Sequence, residues 1–180
     1  MLFRVATAAD AARIATLHAD SWRNSYRGML SNHFLDHEVE ADRLAVWENR
    51  LQCPAAGQFV LLAEIDGQLG GFICLFGSAD SRYGTLLDNL HIASNLQGQG
   101  IGKQLMYHAA MWIQQTLPDS NLYLWVFADN TDAIRFYKRL GAYEAGRKIE
   151  HSFGEQPVLS LRYVWDDVAI LVERIATSNQ

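Results

Sequence analysis

Six residues, Gln97-Gly98-Gln99-Gly100-Ile101-Gly102, stand between a short apolar segment, 86–92, and a helical pattern over 103–116. Glycine has no Cβ, so such a run takes positive φ angles at little cost and turns several N–H groups toward one point. The run opens onto a helix whose first N–H groups have no intrahelical acceptor and whose dipole adds partial positive charge. That arrangement suits a pyrophosphate, although a glycine-rich turn also serves as a plain connection between packed elements. Two familiar phosphate loops do not fit. A dinucleotide turn needs G-x-G-x-x-G, whereas these glycines fall at 98, 100 and 102; a Walker loop needs Gly-Lys-Ser/Thr, whereas Gly102-Lys103 is followed by Gln104. The apolar segment also contains one carboxylate, Asp88. Period-two alternation puts it on one strand face with Leu86, Leu90 and Ile92.

The elements that must position these groups are legible around them. The pattern 86–92, then 103–116, then 122–127 reads strand, helix, strand, a β-α-β unit whose two strands run parallel. In 122–127, Leu122, Leu124 and Val126 alternate with Tyr123, Trp125 and Phe127, so both faces are apolar and a covered central strand is expected. Upstream, 59–65 and 69–76 flank Asp66-Gly67, a strong hairpin signal. Near the N-terminus a strand over 2–6 precedes a helix over 8–26 with Ile14, Leu17, His18 and Trp22 at helical spacing, interrupted at Gly28. Ser31 reads as the N-cap of a second helical region running with breaks to Leu51. Downstream, Asn130 or Thr131 caps a helix with Ala133, Ile134, Tyr137 and Leu140 on one face and Gly141 at its C-terminal left-handed position. An antiparallel pair, 143–151 with 158–164, follows. An amphipathic helix over 166–175 is placed last, either packed on the same domain or meeting a second copy in a homodimer.

A length of 180 residues, with 49% hydrophobic and 19% charged residues, suits a single domain spanning 1–180. A net charge of −5 argues against a nucleic-acid surface and weakly favours cationic partners. The first residues lack the features of a secretory leader, and no apolar stretch approaches the ~18 residues of a membrane span, so a cytoplasmic protein without membrane partners is expected. Cys53 and Cys74 have no disulfide or zinc spacing, and His33 with His37 lacks further ligands nearby, so no metal is expected. A polyanionic ligand would need local cations, which Lys103, Arg135, Lys138 and Arg139 could supply.

Gln97 to Gly102 matches the Q/R-x-x-G-x-G/A signature and thereby resembles the GNAT superfamily of N-acetyltransferases. A second block, Leu122-Tyr-Leu-Trp-Val-Phe-Ala-Asp-Asn130 followed by Ala133-Ile134-Arg-Phe136-Tyr137-Lys-Arg-Leu140-Gly141, is similar to the next strand and helix of that family. The resemblance implies an α+β fold with a mixed central sheet of about six to seven strands, flanked by helices and built around a β-α-β acetyl-CoA-binding core. It also implies that acetyl-CoA is the cosubstrate, held by the N–H groups from Gly98 to Lys103, with its pantetheine arm along Leu90-His91-Ile92. Gln97, Gln99, Ile101, Asn130, Phe136 and Tyr137 complete the implied cofactor contacts. Tyr137 matches the family tyrosine that contacts the departing sulfur, and a main-chain N–H near Ile92 would face the thioester oxygen.

The acceptor is a primary amine in this family, and something must take its proton. Relatives place titratable groups nine and eleven residues before the signature, positions held here by Asp88 and Leu86. Asp88 is therefore the candidate base, or else it orients water or binds the acceptor ammonium. Ribosomal-protein N-terminal acetyltransferases carry a glutamate five residues before the asparagine; here that position is Trp125. This departure argues against protein N-termini and points toward a different acceptor; a small-molecule amine is expected, with Trp22, Tyr26, Asp88 and Trp125 as acceptor-site candidates. Acetylation of a protein lysine or N-terminus, and a non-catalytic acyl-CoA-binding regulator, remain the alternatives. Neither cysteine lies in the motifs, so direct transfer without a covalent acyl-enzyme is expected.

Overall fold

Burial along the central hairpin decides which side of the sheet each helix covers. The computed structural model describes residues 1–151 and 157–177. In β2, Gln58–Ile65, Val60 and Leu62 pack toward one side while Leu61 and Ala63 pack toward the other. In β3, Gln68–Asp80, Phe72 and Cys74 follow the first set, Ile73 and Leu75 the second. Both faces of the sheet interior are therefore apolar and both require a helical layer. Asp66 and Gly67 both take positive φ, 51° and 79°, the turn that matches the twist of an antiparallel hairpin.

The seven strands lie in the order β1-β2-β3-β4-β5-β7-β6, with β1 at Leu2–Val5, β4 at Gly84–Ile92, β5 at Leu122–Phe127, β6 at Tyr143–Glu150 and β7 at Val158–Trp165. Every neighbouring pair is antiparallel except β4 with β5, as the helical crossover between them demands. That crossover is α3, Ile101–Thr116, whose Ile101, Leu105, Met106, Ala109, Ala110 and Ile113 are buried. Helix α5, Val168–Thr177, joins α3 on the same side and buries Val168, Leu171 and Ile175 there, so the C-terminal helix packs within its own domain. The opposite side carries α1, Ala11–Ser25, and α2, Val39–Gln52, around Ile14, Trp47 and Phe72. Helix α4, Thr131–Arg139, follows β5.

Two details depart from the sequence pattern. The second helical region begins as a π-helical turn over Phe34–Glu38 before continuing as α2. The N-terminal strand is tied to α1 by charge: Arg4 donates to Asp10 at 2.7 Å and to Glu64 at 2.9 Å, and Arg13 reaches Glu64 at 2.8 Å. Among the described residues no helix is long and apolar enough to cross a membrane.

Candidate functional site

The glycine run is a turn capped by left-handed backbone. Gly98 has φ 77° and Gly100, the N-cap of α3, has φ 82° and ψ 0°, and a Cβ built on either would meet nothing within 4 Å. The backbone, rather than crowding by the protein, thus calls for glycine, and the space before the turn is open. Beside it, β4 and β5 pair only over Thr85–Leu87 with Leu122–Leu124. Past Leu87 the parallel strands lose their ladder, so the β5-facing main chain of 88–92 has no strand opposite it. The opening continues into a cleft of about 1550 Å³.

That cleft brings together most of the residues expected from sequence. Gln97, Gly98, Gly100, Ile101, Gly102 and Lys103 line it with Leu90, His91 and Ile92, and Asn130, Phe136 and Tyr137 face them. Gln99 is not part of the lining; its side chain donates back to the Asn95 carbonyl at 3.4 Å. The expected basic ground also shifts. Arg139 and Arg174 line the cleft, whereas Arg135 is paired with Asp132 and Lys138 lies 5.8 Å from the Tyr163 ring. The departure at Arg135 and Lys138 follows from the 100° step of α4, which carries only one stripe of its residues to the cleft.

Tyr137 and Tyr26 both line the cleft. Tyr137 is 7% exposed, packed edge-on to Phe136 at 5.3 Å and to Trp165 at 5.9 Å. Burial pushes its phenol well above the ordinary tyrosine range, and the neighbouring Tyr26 adds to the rise. Tyr26 is itself raised to about 12 by burial, against a hydrogen bond with the Asn130 side chain. Asn130 also accepts from the Ala133 N–H at 3.3 Å as the N-cap of α4, so one amide links the helix carrying Tyr137 to the Tyr26 wall. Trp22 and Tyr26 contact edge to face at 5.5 Å, and Tyr26 contacts Phe127 at 5.0 Å.

Asp88 lies in the cleft, but not by the alternation expected of it. The β3–β4 register pairs Asn89 with Cys74 and Leu87 with Leu75, leaving Asp88 as the extra residue of a bulge. Leu87, Leu90 and Ile92 consequently share the α3-side core, which strict period two forbids, and Asp88 turns toward α2. There Arg50 donates to Asp88 Oδ2 at 2.7 Å and Asn89 to the same oxygen at 3.0 Å. The His91 side chain also points to the α1 side, where its Nδ1 lies 2.7 Å from Ser21 Oγ and its ring 4.4 Å from that of His18. Trp47 Nε1 donates to His18 Nδ1 at 3.0 Å, which puts the His18 proton on Nε2, an atom without a hydrogen-bond partner among the described residues. Burial, aided by Arg43, depresses His91 to about 3, and burial holds His18 well below its ordinary value, so both rings are neutral. Trp125 completes the far wall between two cations, Lys148 at 4.3 Å and Arg162 at 4.4 Å from its ring.

The sequence reading missed Arg43 and Arg50, which line the cleft from α2, and the Lys148–Glu150 pair at 2.7 Å. Their seven-residue spacing on one helix was the available signal for the arginines, but nothing local says that this face meets β4.

Residues 17–142 match the model of the acetyltransferase (GNAT) family, a stretch containing both the glycine turn and α4. The chain belongs to the GNAT acetyltransferase family. Among characterised or named relatives, a probable N-acetyltransferase, Rv2775, of Mycobacterium tuberculosis is 30% identical over 80% of this chain and 80% of its own. The peptidyl-lysine N-acetyltransferase YjaB of Salmonella typhimurium is 29% identical over 79% of this chain and 86% of its own. The fold superimposes on that of PaiA N-acetyltransferase from Thermoplasma acidophilum, solved in complex with coenzyme A, with a TM-score of 0.65 and 20% identity over 89% of this chain and 98% of that one. This GNAT chain is thus an N-acetyltransferase by kinship, and family members use acetyl-CoA.

Proposed function

We propose that this chain transfers an acetyl group from acetyl-CoA directly to a primary amine of a small molecule. The observation that carries the reading is the divergence of β4 from β5 beside the positive-φ turn of Gly98 and Gly100. It supplies unpaired main-chain groups along 88–92 and an open N–H cradle at the start of α3, a fit for an elongated thioester with a diphosphate. Gln97, Gly98 and Gly100 to Lys103 would hold the diphosphate, with Arg139 and Arg174 as nearby cations. When bound, acetyl-CoA would supply an acyl thioester whose C–S bond breaks as the neutral amine nitrogen forms the new C–N bond, the sulfur leaving as thiolate and the nitrogen's surplus proton passing to solvent.

The chain's own groups then divide the work. Main-chain N–H groups near Ile92 would stabilise the carbonyl oxygen as charge grows on it. Tyr137, with its phenol raised by burial, is too weak an acid to give its proton fully to a thiolate. Even an unshifted phenol near ~10 against a thiol near ~8.5 is uphill by about 2 kcal/mol. It would therefore donate a hydrogen bond to the departing sulfur. Asp88, already accepting from Arg50 and Asn89, orients the acceptor ammonium rather than serving as a free base. An aliphatic amine with pKa near ~10.4 is neutral in only ~1 of 10³ molecules at pH 7, so turnover should climb with pH through the neutral range.

The peptidyl-lysine activity named for the Salmonella relative favours a second reading, acetylation of protein lysines. Release of free CoA, measured with a broad amine panel and with lysine peptides, separates the two. Acetyl-CoA binding by calorimetry without turnover on any acceptor would instead support a regulatory domain.

A further inference from the structure

We propose that the acetyl acceptor carries a carboxylate, so that its class is an amino acid, with Arg43 receiving the carboxylate and Asp88, held by Arg50, the ammonium. The inference rests on the acetyltransferase reading of the cleft and names the substrate class for that same site.

Charge on three of the cleft walls runs against that of the whole chain. The full sequence carries −5, yet the charged residues that α2, β4 and β6 bring to the cleft are Arg43, Arg50 and Lys148 against Asp88 and Glu150, while Asp129 and Asp132 line it at the start of α4. Lys148 is matched by Glu150 at 2.7 Å, and Arg50 by Asp88 at 2.7 Å. Arg43 is the cation whose match faces away from the cleft. Its acidic partner is its chain neighbour Asp42, and both contacting nitrogens, Nε and Nη2, reach the single oxygen Oδ2. The Asp42 side chain is 41% exposed and that of Arg43 only 15%, so the carboxylate stands in solvent while the guanidinium lies at the cleft. A guanidinium has five N–H donors in a planar fork that fits a carboxylate two-on-two, and Asp42 does not use that geometry. Cζ of Arg43 sits over the Trp22 ring, 4.3 Å from its centroid, which supports the guanidinium at the cleft wall.

Spacing makes this a ruler. Arg43 and Arg50 are two helical turns apart on α2, about 10 Å along its axis, with Val46 between them also lining the cleft. At the Arg50 end, both hydrogen bonds to the Asp88 carboxylate fall on Oδ2, and among the described residues none reaches Oδ1. An ammonium at Oδ1 and a carboxylate toward Arg43 fit one zwitterion. A polyamine would place its second ammonium against the same arginines. The neutral state of His91 and His18 agrees with this positive ground, since Arg43 disfavours a proton on both rings.

The test compares α-amino and ω-amino acids with their carboxamides and their decarboxylated amines, following CoA release by the full chain. At least one acid should exceed its carboxamide tenfold or more in kcat/KM. In Arg43→Met, which keeps a side chain on Trp22, that ratio should fall at least tenfold, chiefly through KM, and Arg43→Lys should restore part of it. Arg43→Gln gives the same comparison if the Met variant folds poorly. The proposal is overturned if a polyamine or neutral amine outpaces every acid. It is equally overturned if the ratio survives in the Met or Gln variant, or if no acid reacts although calorimetry shows acetyl-CoA bound. Absence of acetyl-CoA binding would instead remove the acetyltransferase reading beneath it.

Discussion

Replacing Gly100 by alanine separates what the turn does for the fold from what it does for the ligand. The residue sits at φ 82° with no protein atom within 4 Å of a built Cβ, so the substitution meets no clash. Its cost in the free protein is the left-handed backbone alone, about 1–2 kcal/mol. For a chain of 180 residues that lowers Tm by about 2–8 °C, at about 2–4 °C per kcal/mol. The methyl group would project into the open space before the turn. Loss of one charge-assisted hydrogen bond to a diphosphate, about 1.5–3 kcal/mol, weakens binding by about 10- to 100-fold. Gly102→Ala is the control for the backbone part: Gly102 is not at positive φ, and its Cβ would stand 3.5 Å from Phe136 Cζ, an ordinary contact. That variant should be as stable as the parent or gain up to about 1 kcal/mol of helix propensity. Thermal melts with and without acetyl-CoA, paired with calorimetric Kd values, read both effects. A Gly100→Ala protein with lowered Tm but unchanged Kd would refute the cradle, and equal destabilisation by both alanines would refute the backbone reasoning.

Further outcomes follow from the rest of the site. Tyr137→Phe should lower kcat about tenfold or more while the acetyl-CoA Kd stays within about twofold, because the phenol is assigned to the leaving sulfur. The raised Tyr137 phenol also predicts no fall in the parent's kcat below pH 10 from tyrosine ionisation, and a loss there that vanishes in Tyr137→Phe would contradict the assignment. Asn130→Ala removes the α4 cap, about 1 kcal/mol, and leaves the Tyr26 phenol unpaired, about 1–3 kcal/mol more. A double-mutant cycle with Tyr26→Phe should return a coupling above about 0.5 kcal/mol, and additive effects would deny the link. His91 has a folded value near 3 against an ordinary 6.5, so the unfolded chain binds the extra proton. Its stability contribution is complete above pH 6.5 and falls as pH drops toward 3, by about 1.4 kcal/mol already at pH 5.5. Asp10 and Glu64, depressed from 3.8 and 4.5 by Arg4, shed theirs only at lower pH. Denaturant titrations at pH 7.5 and 5.5 on the parent and on His91→Gln measure the difference, which should shrink in the variant.

Much of the site was fixed by residues close together in the chain. Positive φ at Gly98 and Gly100, the Asp66-Gly67 hairpin and the Asn130 cap each depend on a few consecutive residues, and each stands where the local pattern puts it. The parallel pairing of β4 and β5 also followed, because a helical crossover leaves the second strand no other direction. What the sequence alone could not decide was every feature that needed a second, distant segment. The side on which Asp88 emerges depends on how β4 registers with β3, and one bulged residue inverts a period-two prediction. The seat of α5 on α3, left open between self-packing and a second copy, was settled by which apolar face lay uncovered. His18 and Trp47 are 29 residues apart, Ser21 and His91 are 70, and Arg50 meets Asp88 across 38. Those meetings set the charge and protonation along the α1 and α2 side of the cleft, since desolvation and Coulomb energy depend on separation in space, which neither composition nor periodicity encodes.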